Sequence, residues 1–105
     1  MYIVNTTFIV MPSVHGSWYE FFTEKFLPSI EGNPLYGSYR FTRLLSEQVE
    51  QHFTYSLQID CAEMSAYHHY MKVSLPEYRE FATSLFDAEV VHFVSFMKLL
   101  KENKK

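Results

Sequence analysis

The most constraining feature of this chain is a strict alternation of polar and apolar residues between His52 and Cys61. Its even positions are all polar: Thr54, Ser56, Gln58 and Asp60. Its odd positions are all apolar or aromatic: Phe53, Tyr55, Leu57, Ile59 and Cys61. A period of two predicts a β-strand with one apolar face and one polar face. A second extended stretch, Ser38–Leu45, precedes it, and the polar residues 46–51 predict a turn that joins both strands into a hairpin.

The rest of the chain predicts two more strands and two helices. Tyr2–Val10 alternates like a strand, and Glu89–Leu100 is rich in the branched and aromatic residues that strands favour. Between them, two stretches repeat apolar residues every three or four positions, as amphipathic helices do. The first stripe is Val14, Trp18, Phe21, Phe22, Phe26 and Ile30, and the second is Met64, Tyr67, Met71, Leu75, Tyr78, Ala82 and Leu85. Pro28 is expected to kink or end the first helix, and Pro76 to divide the second near Ser74–Leu75.

The predicted order is β-α-β-β-α-β, which is that of the ferredoxin-like plait in the α+β class. Two right-handed crossovers that share a central hairpin give a four-stranded antiparallel sheet with both helices on one face. We expect residues 1–100 to form this single domain and the basic residues 101–105 to be a solvated tail. The helices should cover Val4, Phe8, Tyr39, Phe41, Tyr55, Leu57, Ile59, Val94 and Phe96.

The other face of the sheet should then be left open. It is predicted to carry Ile3, Asn5, Thr7, Ile9, Arg40, Thr42, Leu44, Thr54, Ser56, Gln58, Phe93, Ser95 and Met97. This mixture is too apolar for a face in water and too polar for a dry core. Packing against a second copy resolves both difficulties, so we expect a two-fold homodimer with a mixed cavity between the sheets. The apolar members expected at the interface are Ile3, Ile9, Leu44, Phe93 and Met97.

The polar members of that face are the candidate ligand-binding residues: Asn5, Thr7, Arg40, Thr42, Ser56, Gln58 and Ser95. A guanidinium in a cavity needs an anion, so Arg40 should meet either the acid group of a ligand or a carboxylate across the dimer, Asp60 or Glu89. No catalytic residue is predicted, because no nucleophile–base pair or close acidic pair stands out. No metal site is predicted either, because the five His residues lack ligand spacing.

Composition restricts the partners and the compartment. A formal net charge of −3 argues against nucleic acid, which needs a basic surface. The single cysteine, Cys61, excludes an internal disulfide and a thiolate metal site. The first residues lack a basic leader, and Asn5, Thr6 and Thr7 interrupt the apolar run, so neither a signal peptide nor a membrane span is expected. The default prediction is a cytoplasmic protein with no membrane partner.

Several motifs resemble a bacterial family, the domain of unknown function 4286. They are Met1–Val10, Pro12–His15 followed by Trp18, Ser38–Leu45, Thr54–Gln58, and the final Phe93–Phe96 with Leu99 and Leu100. The family is similar in plan to the dimeric α+β barrel superfamily, whose members include cofactor-free monooxygenases, haem-degrading enzymes and ligand-sensing domains. The resemblance implies a dimer with a barrel-like cavity and supplies no activity. It departs from the family pattern at Thr6, where Val is expected, and at Ile9, where a polar residue is expected.

The resemblance also raises the question of haem. Haem-degrading members have an Asn in a place similar to Asn5, together with a Trp and a haem-ligating His on the second helix. The corresponding stretch here, Tyr70–Glu80, contains neither a Trp nor a His, and His68 and His69 come about one turn too early. No cofactor is therefore expected.

Two functional hypotheses follow. In the first, the protein is a homodimeric small-molecule-binding or interaction module with a cavity between its two sheets. In the second, it is a cofactor-independent enzyme of monooxygenase or isomerase type, in which Arg40, Asn5 and Gln58 polarise a small carbonyl-bearing or aromatic compound. The first is preferred because the second needs a general base, and the predicted cavity face offers none.

Overall fold

A computed structural model describes residues 1–45 and 51–105 and contains the four predicted strands. They are β1 (Tyr2–Val10), β2 (Tyr39–Arg43), β3 (Phe53–Cys61) and β4 (Val90–Lys98). Strand β1 has the predicted bounds, whereas β2 and β4 are each a few residues shorter than predicted. Most of the predicted turn, residues 46–50, lies outside the described residues.

The strands form one antiparallel sheet in the order β2-β3-β1-β4. The long strands β1 and β3 lie in the middle and pair along nine residues each, from Tyr2 opposite Cys61 to Val10 opposite Phe53. This order and the position of both helices on one face confirm the predicted ferredoxin-like α+β fold.

Both helices contain a widened turn just before a proline. Helix α1 consists of His15–Phe21, a π-helical turn Phe22–Phe26, and Leu27–Glu31. Helix α2 consists of Met64–His69, a π-helical turn Tyr70–Ser74, and Leu75–Phe86. In each case the N–H before the proline bonds to a carbonyl five residues back, Leu27 to Phe22 and Leu75 to Tyr70. The predicted breaks at Pro28 and Pro76 are therefore widened turns within continuous helical segments.

The π-helical turn shifts the buried stripe of α2 by one residue. The buried positions are Ala66, Tyr70, Leu75, Tyr78, Ala82 and Phe86. The sequence prediction of Met64 and Leu85 was wrong, since Met64 is 40% exposed and Leu85 is 55% exposed. The buried residues Tyr70 and Leu75 are five positions apart because the π-helical turn lies between them. A regular helix would bury Met71 in place of Tyr70, which explains why the buried residues in the N-terminal half of α2 differ from the predicted ones.

The core lies between the sheet and the helices and is dominated by aromatic rings. Phe8 of β1 is fully buried and lies 5.0 Å from Phe22, 5.5 Å from Trp18 and 5.1 Å from Tyr78, measured between ring centroids. Two buried hydrogen bonds satisfy polar groups in this layer. Trp18 Nε1 donates to Tyr78 Oη over 2.9 Å, and the hydroxyls of Thr6 and Tyr70 lie 2.6 Å apart.

The chain after β4 has no regular secondary structure, and residues 101–105 are exposed. No helix among the described residues combines the length and the apolar composition that crossing a membrane requires.

Candidate functional site

The sheet face that points away from the helices gathers all the residues predicted for it; we call it the open face. Alternation along each strand places them there, because the intervening residues point into the core. The members on the central strands are half-buried, whereas those on the edge strands are exposed. The central half-buried set is Ile3, Asn5, Thr7, Ile9, Thr54, Ser56 and Gln58, and the exposed edge set is Arg40, Thr42, Leu44, Phe93, Ser95 and Met97.

Strand register arranges these side chains in rows across the sheet. One row is entirely polar and runs across all four strands; this polar row is Arg40, Gln58, Asn5 and Ser95. The next row is Thr42, Ser56, Thr7 and Phe93. Neighbouring strands lie about 4.8 Å apart, so the polar row spans about 14 Å, the length of a small organic molecule.

Hydrogen bonds connect Arg40 to Gln58 within the polar row and connect Asn5 to Ser56 and Thr7 of the next row. Arg40 Nε and Nη2 both donate to Gln58 Oε1 over 3.4 Å, and Ser56 Oγ donates to Asn5 Oδ1. Asn5 Nδ2 in turn donates to Thr7 Oγ1 over 3.4 Å. These bonds orient Arg40, Gln58 and Asn5, and such preorganisation favours binding.

The hydrogen bonds within the open face use the side-chain oxygens of Asn5 and Gln58 as acceptors and leave several donor groups without a partner in the described part of the chain. The oxygens of Asn5 and Gln58 are already accepting, whereas Gln58 Nε2, Arg40 Nη1 and the Ser95 hydroxyl have no partner among the described residues. A ligand with carbonyl or carboxylate oxygens matches this surplus of donors.

Arg40 forms its ion pair within the chain. Its Nη2 lies 3.1 Å from Asp60 Oδ1 on the neighbouring strand β3. Asp60, one of the two carboxylates expected for Arg40, is thus a partner of Arg40 within the same chain. Glu89 is engaged elsewhere, since Ser13 Oγ donates to its Oε2 over 3.2 Å.

Two residues of the open face, Asp60 and Val91, were not among those predicted for it from the sequence. Asp60 sits opposite Ile3 and gives the face a carboxylate, so the statement that the face offers no base was wrong. Val91 sits opposite Ile9 and is 50% exposed. The signal for both was the alternation itself, because Asp60 continues the polar positions of β3 and Val91 precedes Phe93 by two residues.

Large apolar side chains are exposed at both edges of the open face. Phe93 is 54% exposed and Leu44 is 61% exposed, and Met97 faces solvent beside Ile3. Exposed apolar groups of this size on a face that also carries polar side chains are typical of association surfaces and ligand grooves.

A second polar cluster lies at the helix side of the sheet. His15 stacks on Phe53 with 3.6 Å between ring centroids, and its Nε2 lies 2.6 Å from Tyr55 Oη. Burial, and secondarily the charge of Arg43, lowers the pKa of His15, while burial raises the pKa of Tyr55. Both shifts favour neutral groups, so this pair is a packing contact and not an activated nucleophile.

His92 also faces the helices and is half-buried. Its described neighbours are aromatic, with Tyr78 at 5.7 Å and Phe8 at 6.2 Å between ring centroids, and no hydrogen-bond partner is found among the described residues. Burial, and secondarily the charge of Arg79, lowers the pKa of His92. In the described part of the chain, no three His, Cys, Asp or Glu side chains are placed to hold a metal ion.

The fold is shared with several solved structures of the ferredoxin-like class. An antibiotic biosynthesis monooxygenase matches with a TM-score of 0.66 and 12% identity, over 96% of this chain and 100% of that one. A MhuD variant with two manganese protoporphyrin IX bound per active site matches with a TM-score of 0.63 and 12% identity, over 98% and 99%. A dimeric ferredoxin-like protein from an uncultured marine organism matches with a TM-score of 0.61 and 10% identity, over 98% and 99%. At these identities the likeness establishes the fold alone.

The family is established by sequence. The model of the Domain of unknown function (DUF4286) matches residues 1–100, and the chain belongs to that family. None of the curated proteins matches the sequence.

The structure also bears on the haem question. Asn5 points to the open face, whereas Val4 and Thr6 on either side of it point towards the helices and are fully buried. Asn5 and helix α2 therefore lie on opposite sides of the sheet, so the residues of this chain do not fit a porphyrin site that combines the two.

Proposed function

We propose that the protein is a homodimeric module in which two open faces pack together and enclose a small organic ligand between their polar rows. The observation that carries this proposal is the polar row itself, a line of hydrogen-bond donors on a face whose edges expose large apolar side chains. A monomer would leave both parts in water. A two-fold dimer buries these apolar side chains and desolvates the donors, which strengthens their bonds to a ligand.

The ligand class follows from the free donors. Gln58 Nε2, Arg40 Nη1 and Ser95 Oγ match a flat compound with carbonyl or carboxylate oxygens. Because Asp60 already neutralises Arg40, the row does not demand a formal negative charge. The single cysteine, Cys61, is a buried free thiol, which supports placing this module in the reducing cytoplasm.

A second candidate function rests on Asp60. A carboxylate 3.1 Å from a guanidinium, on the face that would enclose the ligand, could accept a proton from a carbon next to a carbonyl. This is the cofactor-independent enzyme of monooxygenase or isomerase type. Its test is the rate of deuterium exchange at that carbon in acetylacetone and phenylpyruvate, relative to the uncatalysed rate. The protein should accelerate this exchange, and Asp60→Asn should abolish the acceleration without loss of binding.

Binding is tested with Arg40→Ala and with Arg43→Ala as the matched control. The two arginines share β2, but Arg43 turns to the opposite side and lies over the Phe53 ring at 4.7 Å. Benzoate, salicylate, acetylacetone and phenylpyruvate serve as probes in thermal unfolding. At least one should raise the Tm of the wild type and of Arg43→Ala but not that of Arg40→Ala. If none of the four compounds raises the Tm of the wild type, the protein does not bind this class of ligand. The same conclusion follows if a compound raises the Tm of Arg40→Ala as much as that of the wild type.

A further inference from the structure

An aromatic groove runs between α1 and α2 on the outer surface of the helices. It has a volume of about 450 Å³, and Phe21, Phe26, Tyr78 and Phe81 form its apolar lining. The rings of Phe21 and Phe81 stack with 4.5 Å between centroids and 5° between planes. Phe81 nevertheless stays 47% exposed, so part of this apolar surface is left in water.

Carboxylates border this groove on both sides. Two hollows continue it, one of about 300 Å³ that includes Glu77 and Glu80, and one of about 210 Å³ that includes Glu20 and Glu24. Lys25 is the single basic side chain among the described residues that line the groove and its hollows. None of the four glutamates is in a salt bridge with another described residue.

This arrangement is unfavourable for the isolated helices. Glu20 and Glu24 are four residues apart on α1, and Glu77 and Glu80 are three apart on α2, so each pair repels along its own helix. A cation from another molecule would relieve the repulsion on both helices, and an apolar side chain beside it would cover Phe81.

We propose that this groove binds a cationic amphipathic segment of a partner protein. Its apolar side chain rests on Phe21 and Phe81, and its Lys or Arg side chains approach the four glutamates. Charge complementarity selects this partner, and the small volume limits the contact to one or two apolar side chains of a peptide segment. The groove lies on the helix side of the sheet, so the contact is independent of the dimer and remains accessible within it.

The probe is a fluorescent peptide of about 15 residues made only of Leu and Lys at helical spacing, compared with its Leu/Glu counterpart. Fluorescence anisotropy with the full chain should show saturable binding of the Lys peptide alone. Glu77→Lys combined with Glu80→Lys should weaken it about tenfold or more, because like charges then face each other. Glu63→Lys combined with Glu102→Lys makes the same change in net charge away from the groove and should leave affinity within about twofold.

A second pair of variants tests the apolar contact without changing charge. Phe81→Ala should weaken the Lys peptide about tenfold, as loss of an aromatic anchor does. Leu85→Ala, one turn further along α2 and similarly exposed, should not. If Glu63→Lys/Glu102→Lys weakens binding of the Lys peptide as much as Glu77→Lys/Glu80→Lys does, the peptide responds only to net charge and the proposal is overturned. Equal binding of the Leu/Glu peptide would also overturn it, as would a fall in self-association in Glu77→Lys/Glu80→Lys, which would make a second copy the occupant.

Discussion

At the residue scale, a buried pair of hydroxyls connects the sheet to helix α2. The bond between Thr6 and Tyr70 joins β1 to the widened turn of α2, and burial raises the pKa of Tyr70 so that the hydroxyl stays neutral. This bond accounts for Thr6 where the family resemblance leads us to expect Val. The hydroxyl is fully buried, and it is satisfied only because Tyr70 stands opposite.

The Thr6–Tyr70 pair predicts a non-additive double-mutant cycle. Thr6→Val or Tyr70→Phe alone leaves one buried hydroxyl without its partner and should lower the free energy of unfolding by about 1–3 kcal/mol. The double variant replaces both groups by apolar ones of similar shape and should lose less than about 1 kcal/mol. Urea unfolding measures all three. A double variant whose loss equals the sum of the single losses would show that the pair is not coupled.

His92 predicts a loss of stability in mild acid. Burial and Arg79 lower its pKa below 6.5 in the folded protein, so the unfolded chain binds a proton first as the pH falls. Between 6.5 and the lowered pKa the unfolded state holds more protons, and the free energy of unfolding therefore falls with decreasing pH.

Urea unfolding at about pH 7.5 and about pH 5.5 measures this effect. His92→Gln should reduce the loss between the two conditions, and His15 should supply a remaining part in the same direction. His52→Gln, which replaces an exposed histidine just before β3, is the matched control. Equal losses in all three proteins would refute a role for His92.

At the scale of elements, the strands were predictable and the phase of the helices was not. Alternation alone placed Asn5 and Gln58 on one face and Phe8 and Leu57 on the other, because a strand has only two faces. In a helix, the face on which a residue lies cannot be predicted from its spacing once one turn is widened. Because of the π-helical turn before Pro76, Tyr70 is buried where a regular helix would bury Met71. A sequence pattern of three- and four-residue spacings cannot predict this change.

The widened turn of α2 should persist without its proline. Leu75 is fully buried after the turn and Tyr70 is fully buried before it, so a regular helix would rotate one of them out of the core. Pro76→Ala should therefore cost no more than about 1 kcal/mol, mainly through the greater freedom of the unfolded chain. Urea unfolding and near-ultraviolet circular dichroism measure the outcome. A changed aromatic spectrum would mean that the proline ring alone imposes the turn.

At the scale of the whole molecule, the members of the open face could be predicted but their alignment could not. Which residues share a row depends on the register between β1, β3 and β4, and helical crossovers rather than short turns connect these strands. The polar row and the pairing of Arg40 with Asp60 of its own chain became visible only in the structure. Both proposed functions depend on that face meeting a second copy of itself.

Sedimentation equilibrium at micromolar concentration tests this claim most directly. Phe93→Lys places a charge on the open face, and Leu85→Lys places one at a similarly exposed site on the outer side of α2. The account predicts a dimer of 12.5 kDa chains for the wild type and for Leu85→Lys, and a monomer for Phe93→Lys. A monomeric wild type, or a Phe93→Lys variant that dimerises as well as the wild type, would contradict it.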